Sequence, residues 1–394
     1  MNTDIIVRNV ILCLGTPWFV ARSIFHLAKI ESSDRRRGYR YTMRPVHLFH
    51  NTASMVKHAV PREFPEKPAR VTAVMTALET SGLWSLCKPC AVSPISEEVF
   101  VKRYGLAEVV RWKELILKAK LVGEVVEDDV CEDIYWSSGS LEAISTAANA
   151  AVMATKAVLT AEGVEHAFCV LRPPGHHCFQ MPAGFCVVNN VALATQEALD
   201  MGKRVAILDW DYHFGDGTAE TFLENPRVMF CSIHCAKDRR GRATYPSHPL
   251  KGGLLATKTG GRMFNIQWAK DDADNAAYAY AFQTAILPAL RRFAPDIILV
   301  SAGYDALKGD DLAGMELTAP IFQELTKSLT ALNIPTVCVM EGGYNTELLA
   351  SGVVETVRGL LEGGADTLAI LGATVKKHHK AVVDATVGPA VDTL

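Results

Sequence analysis

The chain has 394 residues, 49% of them apolar and 21% charged, and its formal net charge is -3. That balance excludes an intrinsically disordered chain and gives no electrostatic case for direct nucleic-acid binding. Many of the ten cysteines lie inside apolar runs, such as Cys169, Cys186, Cys231 and Cys338, where a thiol acts as a small hydrophobe in a reducing compartment.

The N-terminal stretch stands apart. No acid occurs between Ile5 and Ile30, while Arg8, Arg22 and Lys29 are spread through it and Arg35, Arg36, Arg37, Arg40 and Arg44 follow. Its apolar part, Val10–Ala21, contains Gly15 and Pro17 and is too short to span a bilayer. Two readings stay open, an organellar transit segment and an extension with a solvated basic tail. Further along, Cys87-Lys88-Pro89-Cys90 has redox-pair spacing, but no second pair exists to complete a structural zinc site.

From about Ala143 the patterns alternate. Helices are predicted over Leu141–Glu162, Asn189–Met201, Asn275–Arg292, Ala319–Leu332 and Glu347–Leu361. Strands are predicted over Ala167–Leu171, Val205–Leu208, Val228–Ser232, Ile297–Val300 and Thr336–Met340. This alternation implies an α/β fold with a mainly parallel central sheet and helices on both faces. The strands are continuous apolar runs, as two covered faces require. The chain divides into an extension (residues 1–44), one catalytic domain (45–375) and a C-terminal tail (376–394).

Polar motifs follow these strands directly, at the edge where open parallel sheets place a ligand crevice. After Val205–Leu208 comes Asp209-Trp210-Asp211-Tyr212-His213-Phe214-Gly215-Asp216-Gly217, a density of charge that burial penalises unless a cation or proton chemistry compensates. Asp211 and His213, at i and i+2, project to one side of an extended backbone. Asp305, after Ile297–Val300, is the best third ligand. Two carboxylates and an imidazole with an open position describe a catalytic zinc site rather than a closed structural one.

His176-His177, Gly184-Phe185-Cys186 with Asn189-Asn190, the aspartate cluster, Ser232-Ile233-His234, Ala302-Gly303-Tyr304-Asp305 and Gly342-Gly343-Tyr344 together resemble the zinc-dependent histone deacetylase family. The resemblance runs from about His58 to Leu361 and implies the arginase-like α/β fold. It implies that Asp211, His213 and Asp305 bind zinc. His177 is implied as general base and then acid, and His176 as electrostatic stabiliser. Asp209 and Asp216 are implied as their respective carboxylate partners, with Asp216 raising the basicity of His177. Tyr344, after two glycines, is implied as the hydroxyl that donates to the developing oxyanion. Gly184 and Phe185 match one wall of an acyl-lysine tunnel, Tyr245 the opposite wall, and Asp133 the rim residue that holds substrate backbone. Asp209 and Ser232, with nearby backbone carbonyls, match an inner potassium site.

Departures accompany the match. In Phe64-Pro65-Glu66-Lys67-Pro68 a Phe and a Lys stand where the family has His and Arg, and the replaced arginine is expected to line the channel behind the zinc. Lys237, Arg239, Arg240 and Arg242 make the loop 236–249 basic, which suits either an acidic substrate context or a solvated loop. The expected reaction is hydrolysis of acetyl-lysine in proteins, histone tails or others, in nucleus, cytoplasm or an organelle, with corepressor-type partners. Deacetylation of acetylated polyamines is the alternative. Polyamine-specific members carry an acid where this chain has Leu312, although Asp310 and Asp311 are adjacent. A silent scaffold is the third reading, opposed by Tyr344 and the full ligand set.

Overall fold

Among the described residues, eleven strands follow in chain order: β1 (Val46–His50), β2 (Cys87–Ala91), β3 (Val126–Glu127), β4 (Tyr135–Trp136), β5 (His166–Val170), β6 (Val205–Asp209), β7 (Val228–Lys237), β8 (Leu254–Ala256), β9 (Arg262–Ala269), β10 (Ile297–Ala302) and β11 (Thr336–Met340). The computed structural model describes residues 45–248, 254–256, 262–364 and 374–387. The targeting expectation for Met1–Arg44 and the end of the basic loop lie outside them.

Nine strands form one sheet in the order β2-β1-β5-β11-β10-β6-β7-β9-β8, and β3 pairs with β4 separately. Every neighbour pair in the large sheet is parallel except β8 with β9. The apolar runs become central strands because both sheet faces are covered. On β6, Ala206 and Leu208 enter one core while Val205 and Ile207 enter the other; on β10, Ile298 and Val300 oppose Ile297 and Leu299 in the same way. Burying each of these larger side chains contributes roughly 1.5–3 kcal/mol. The mainly parallel sheet with helices on both faces is the architecture that the sequence pattern implies.

Helices Ala69–Thr80, Pro320–Thr330 and Thr346–Glu362 line the first face, and Ser140–Thr160 with Asn190–Asp200 the second. Two of these start where a strand-end motif finishes. The side chain of Asn189 accepts from the backbone N–H of Ala192, and that of Asn345 from Leu348. Each cap satisfies a free N–H and fixes where the motif stops and the helix begins.

Three stretches differ from the sequence expectation. The helix expected over Asn275–Arg292 is broken into Asn275–Ala281, a π turn over Phe282–Ile286 and Leu287–Phe293. Pro288 has no N–H to give, so a regular ladder cannot run through it. The strands β1, β2 and β9 had no counterpart in the sequence reading. The stretch expected as a tail from 376 carries a helix, Lys377–Val387, whose His379 and Val383 are fully buried.

Candidate active site

The four central strands β5, β11, β10 and β6 are neighbours, so the loops at their C-terminal ends meet. His176 and His177 follow β5, the aspartate cluster follows β6, Asp305 follows β10 and Tyr344 follows β11. Register brings Asp209 opposite Ser301 on one side and Ser232 on the other. Sequence-distant groups are thereby assembled by strand order alone.

Asp211, His213 and Asp305 each offer a ligand atom within 4.8 Å of the others. His213 Nδ1 is 2.9 Å from Asp305 Oδ2 and 3.3 Å from Asp211 Oδ1. Both aspartates are fully buried. Burial and the charge of Asp211 push Asp305 up to about 7, against the downward pull of His213. Asp211 is held below the usual carboxylate range by His176 and His213 in spite of its burial. Such a pair of buried like charges around one imidazole is the donor set a divalent cation satisfies, and the set fits zinc. Glycines keep the space clear. A Cβ on Gly342 would lie 2.6 Å from Asp211 Oδ2 and 2.7 Å from Asp305 Oδ2, and one on Gly303 would collide with Asp211.

The two histidines are tuned apart. His176 Nδ1 lies 3.0 Å from Asp209 Oδ2, and His177 Nδ1 lies 2.7 Å from Asp216 Oδ1. Burial disfavours the charged form of His176, but Asp211 and Asp209 outweigh it and raise its pKa well above the ordinary value. Burial and the neighbouring His176 bring His177 down to about 4, against the upward pull of Asp216. The expectation that Asp216 raises the basicity of His177 holds in direction. Desolvation and a cationic neighbour are larger.

Tyr344 is almost fully buried, with its ring centroid 5.5 Å from that of Phe185. Burial and then Asp305 and Asp211 raise its pKa well above 10, so the hydroxyl stays a donor. Its backbone N–H donates to Asp310 Oδ2 at 2.7 Å, and the N–H of Asn345 donates to the same oxygen at 3.0 Å. Asp310 is thus turned inward as a brace for this loop, and Asp311 accepts from the Asn345 side chain. Leu312 is exposed beside them.

Phe185 has φ 68° and Gly184 φ 50°, both in the left-handed region. Phe64 packs edge-on to Phe185 at 4.9 Å and to Tyr135 at 4.7 Å. Tyr245 lies 5.0 Å, ring to ring, from His177 and is half-exposed. A Cβ on Gly184 would meet His177 Cδ2 at 2.7 Å and Tyr245 Oη at 2.8 Å. These rings border the approach to the histidines. Asp133 is exposed on the turn between β3 and β4, with φ 60°, and its charge acts on Tyr245 and Tyr135. Ser232 is fully buried, its hydroxyl 2.8 Å from His234 Nδ1.

Several working parts escaped the sequence reading. Arg70, not position 67, is the arginine behind the site. Lys67 is only half-buried, whereas Arg70 is fully buried, with its guanidinium 5.4 Å from the Tyr344 ring. Arg70 Nε donates to Gly343 O at 2.8 Å, and Nη2 donates to Glu341 O. Glu66 receives Arg70 at 3.0 Å and Arg172 at 2.7 Å, all three fully buried. The Glu341 carboxylate accepts from the N–H of Gly175 at 2.6 Å, joining the β11 loop to the histidine loop. The i, i+4 spacing of Glu66 and Arg70 was a usable signal, but it reads equally as a surface pair. The basic loop is also less free than its composition suggests, since Arg239 pairs with Asp271 and Arg242 with Asp238.

The histone deacetylase domain family matches residues 64–360. The chain belongs to the histone deacetylase family. The chain is 30% identical to histone deacetylase clr3 of Schizosaccharomyces pombe over 79% of this chain and 46% of that protein. It is 33% identical to polyamine deacetylase HDAC10 of Homo sapiens over 77% of this chain and 45% of that one. The chain therefore spans about half the length of those two curated relatives. Its structure is similar to the HDA15 HD domain, with a TM-score of 0.74, 26% identity, and coverage of 88% of this chain and 94% of the other.

Proposed function

We propose that this deacetylase hydrolyses the acetyl-lysine amide of protein substrates, with zinc held by Asp211, His213 and Asp305. The observation that carries the reading is the meeting, at one strand-end crevice, of that donor set with two oppositely tuned histidines and a protonated Tyr344. Zinc there would supply Lewis acidity toward the acyl oxygen and make water nucleophilic near neutral pH.

The remaining chemistry belongs to side chains. His177 is neutral near pH 7 and takes the proton of the attacking water, then returns it to the leaving amine as the C–N bond breaks. Asp216 on Nδ1 fixes the tautomer that leaves Nε2 free for this transfer. His176, held cationic by Asp209 and Asp211, stabilises the negative charge that develops. The hydroxyl of Tyr344 donates to the oxyanion, a role preorganised by Asp310 and Arg70. Gly184, Phe185 and Tyr245 would enclose the aliphatic stem of the lysine, and Asp133 would hold backbone at the rim. Potassium would be held by Asp209 and Ser232, which share a register pair.

A second reading has an observation of its own, because one relative is named a polyamine deacetylase. Against it, the exposed side chain at the crevice mouth position is Leu312, and the adjacent Asp310 and Asp311 are engaged with Tyr344 and Asn345. Asp310 is thereby turned inward, and the only exposed acid of that turn, Asp311, accepts from Asn345.

The test compares zinc-loaded protein on an acetyl-lysine peptide and on an N-acetylated polyamine, beside Tyr344→Phe. Faster turnover of the peptide is expected, with Tyr344→Phe lowering kcat by about 10²–10³-fold. No turnover of either substrate, or an unimpaired Tyr344→Phe, would sink the chemistry. Faster turnover of the polyamine would overturn the substrate assignment alone.

A further inference from the structure

A second group of metal-competent side chains shares no residue with the strand-end crevice. It joins the turn after β9 to the C-terminal helix, Lys377–Val387. The helix begins with adjacent histidines, and Nε2 of each approaches the same oxygen, Asp272 Oδ1, at 2.8 Å for His378 and 3.1 Å for His379. One ligand atom from each of the three residues lies within 4.8 Å of the others. Ligands at roughly 2.0–2.1 Å from a tetrahedral zinc stand about 3.3 Å apart, so these separations are those of a chelating set.

The buried histidine supplies an independent observation. His379 is fully buried, edge-on to Trp268 at 5.4 Å, and among the described residues its Nδ1 has no hydrogen-bond partner. If Nε2–H donates to Asp272, Nδ1 is a bare acceptor in the interior, which is unfavourable. Protonating both nitrogens instead places an imidazolium against Asp272 and edge-on to an indole, which is the metal-free alternative. Moving the proton to Nδ1 turns that N–H toward Asp274 Oδ1, which at 3.9 Å is beyond hydrogen-bond reach. It also leaves the Nε2 lone pair confronting a carboxylate oxygen, an arrangement that only a cation between them makes favourable. A metal-binding imidazole whose other nitrogen addresses a carboxylate is the usual way such ligands are oriented.

We propose that Asp272, His378 and His379 form a second divalent-metal site, of the zinc class, that fastens the C-terminal helix to the end of β9. Two imidazoles and one carboxylate select zinc-like ions over calcium or magnesium, which take oxygen ligands. Asp274 orients His379, and Lys376, 3.4 Å from Asp274 Oδ2, balances the additional carboxylate. His378 is 57% exposed at its side chain, so the remaining coordination position opens to solvent. The site stands on its own residues and does not depend on the proposed reaction.

Metal-free full-length protein is titrated with zinc alone, and bound zinc is counted by elemental analysis after gel filtration, for wild type and for His378→Ala. His378→Ala is expected to bind one equivalent less per chain than wild type. Amide hydrogen exchange gives a second measurement. Zinc should slow exchange in residues 377–387 of wild type and leave those of His378→Ala unchanged. Equal zinc content in the two proteins, or equal protection of that helix, overturns the proposal. A variant of the other centre, Asp305→Asn, separates the two sites, because it should retain the zinc-dependent protection of 377–387.

Discussion

At the residue scale, position 184 shows how much of the site is decided by an absent side chain. Gly184 adopts a left-handed backbone, and any Cβ there would press on His177 Cδ2 and Tyr245 Oη. Gly184→Ala should therefore displace His177 from its partner without unfolding the sheet. The expected loss in kcat/KM is on the order of 10²-fold, with zinc content and circular dichroism unchanged. Retained activity in that variant would show that the loop relaxes around the methyl. The histidine pair teaches a related lesson. The identity of His176 and His177 was legible in the sequence, and so was the match of their carboxylates. What tunes them apart was not, because it depends on burial and on Asp211, which follows another strand.

At the scale of elements, the bracket behind the site is the informative part. Helix Ala69–Thr80 carries Arg70 to the carbonyls of Glu341 and Gly343, and the loop before it carries Glu66 to Arg70 and Arg172. Burial alone would raise the carboxyl of Glu66, but Arg172 and Arg70 bring it down to about 2 from an ordinary 4.5. Because the folded value is depressed, this group stabilises the protein fully above about pH 4.5 and loses that contribution as pH falls through about 2. Glu66→Gln leaves two buried guanidinium groups without a counter-charge and should cost roughly 3–5 kcal/mol. Denaturant unfolding of both proteins checks this. The gap between them should be widest at pH 7 and narrow at pH 3. The same bracket was only partly visible beforehand. Its helix precedes the segment where patterning was clear, and a Lys at position 67 drew the expectation that Arg70 fulfils.

At the scale of the whole molecule, eight parallel strands fix a crevice whose charge is dense and buried, so metal content should govern stability as well as turnover. Exhaustive chelation is expected to abolish deacetylation and to lower stability by roughly 2–4 kcal/mol, the mass-action contribution of a ligand well above its dissociation constant. Thermal unfolding before and after readdition of zinc measures it, and an unchanged midpoint would argue against a folded-state role for the ion.

The sequence by itself determined the α/β class, the central strands and the strand-end motifs. Those features follow from local rules: apolar runs for covered strands, asparagine caps for helix starts, and chemistry-bearing residues where strands stop. It did not reveal β1, β2 or β9, whose residues mix polar and apolar types because they lie toward the flanks of the sheet. Nor did it reveal the C-terminal helix, whose buried face is defined only by what β9 presents to it. Asp211, His213 and Asp216 were read together because they are neighbours in the chain. Arg70, Glu341 and Asp310 were not, since their parts are set by contacts across 34 to 273 positions of sequence. Strand order places β5, β11, β10 and β6 side by side, and long-range pairing of that kind is a property of the folded sheet rather than of any segment within it.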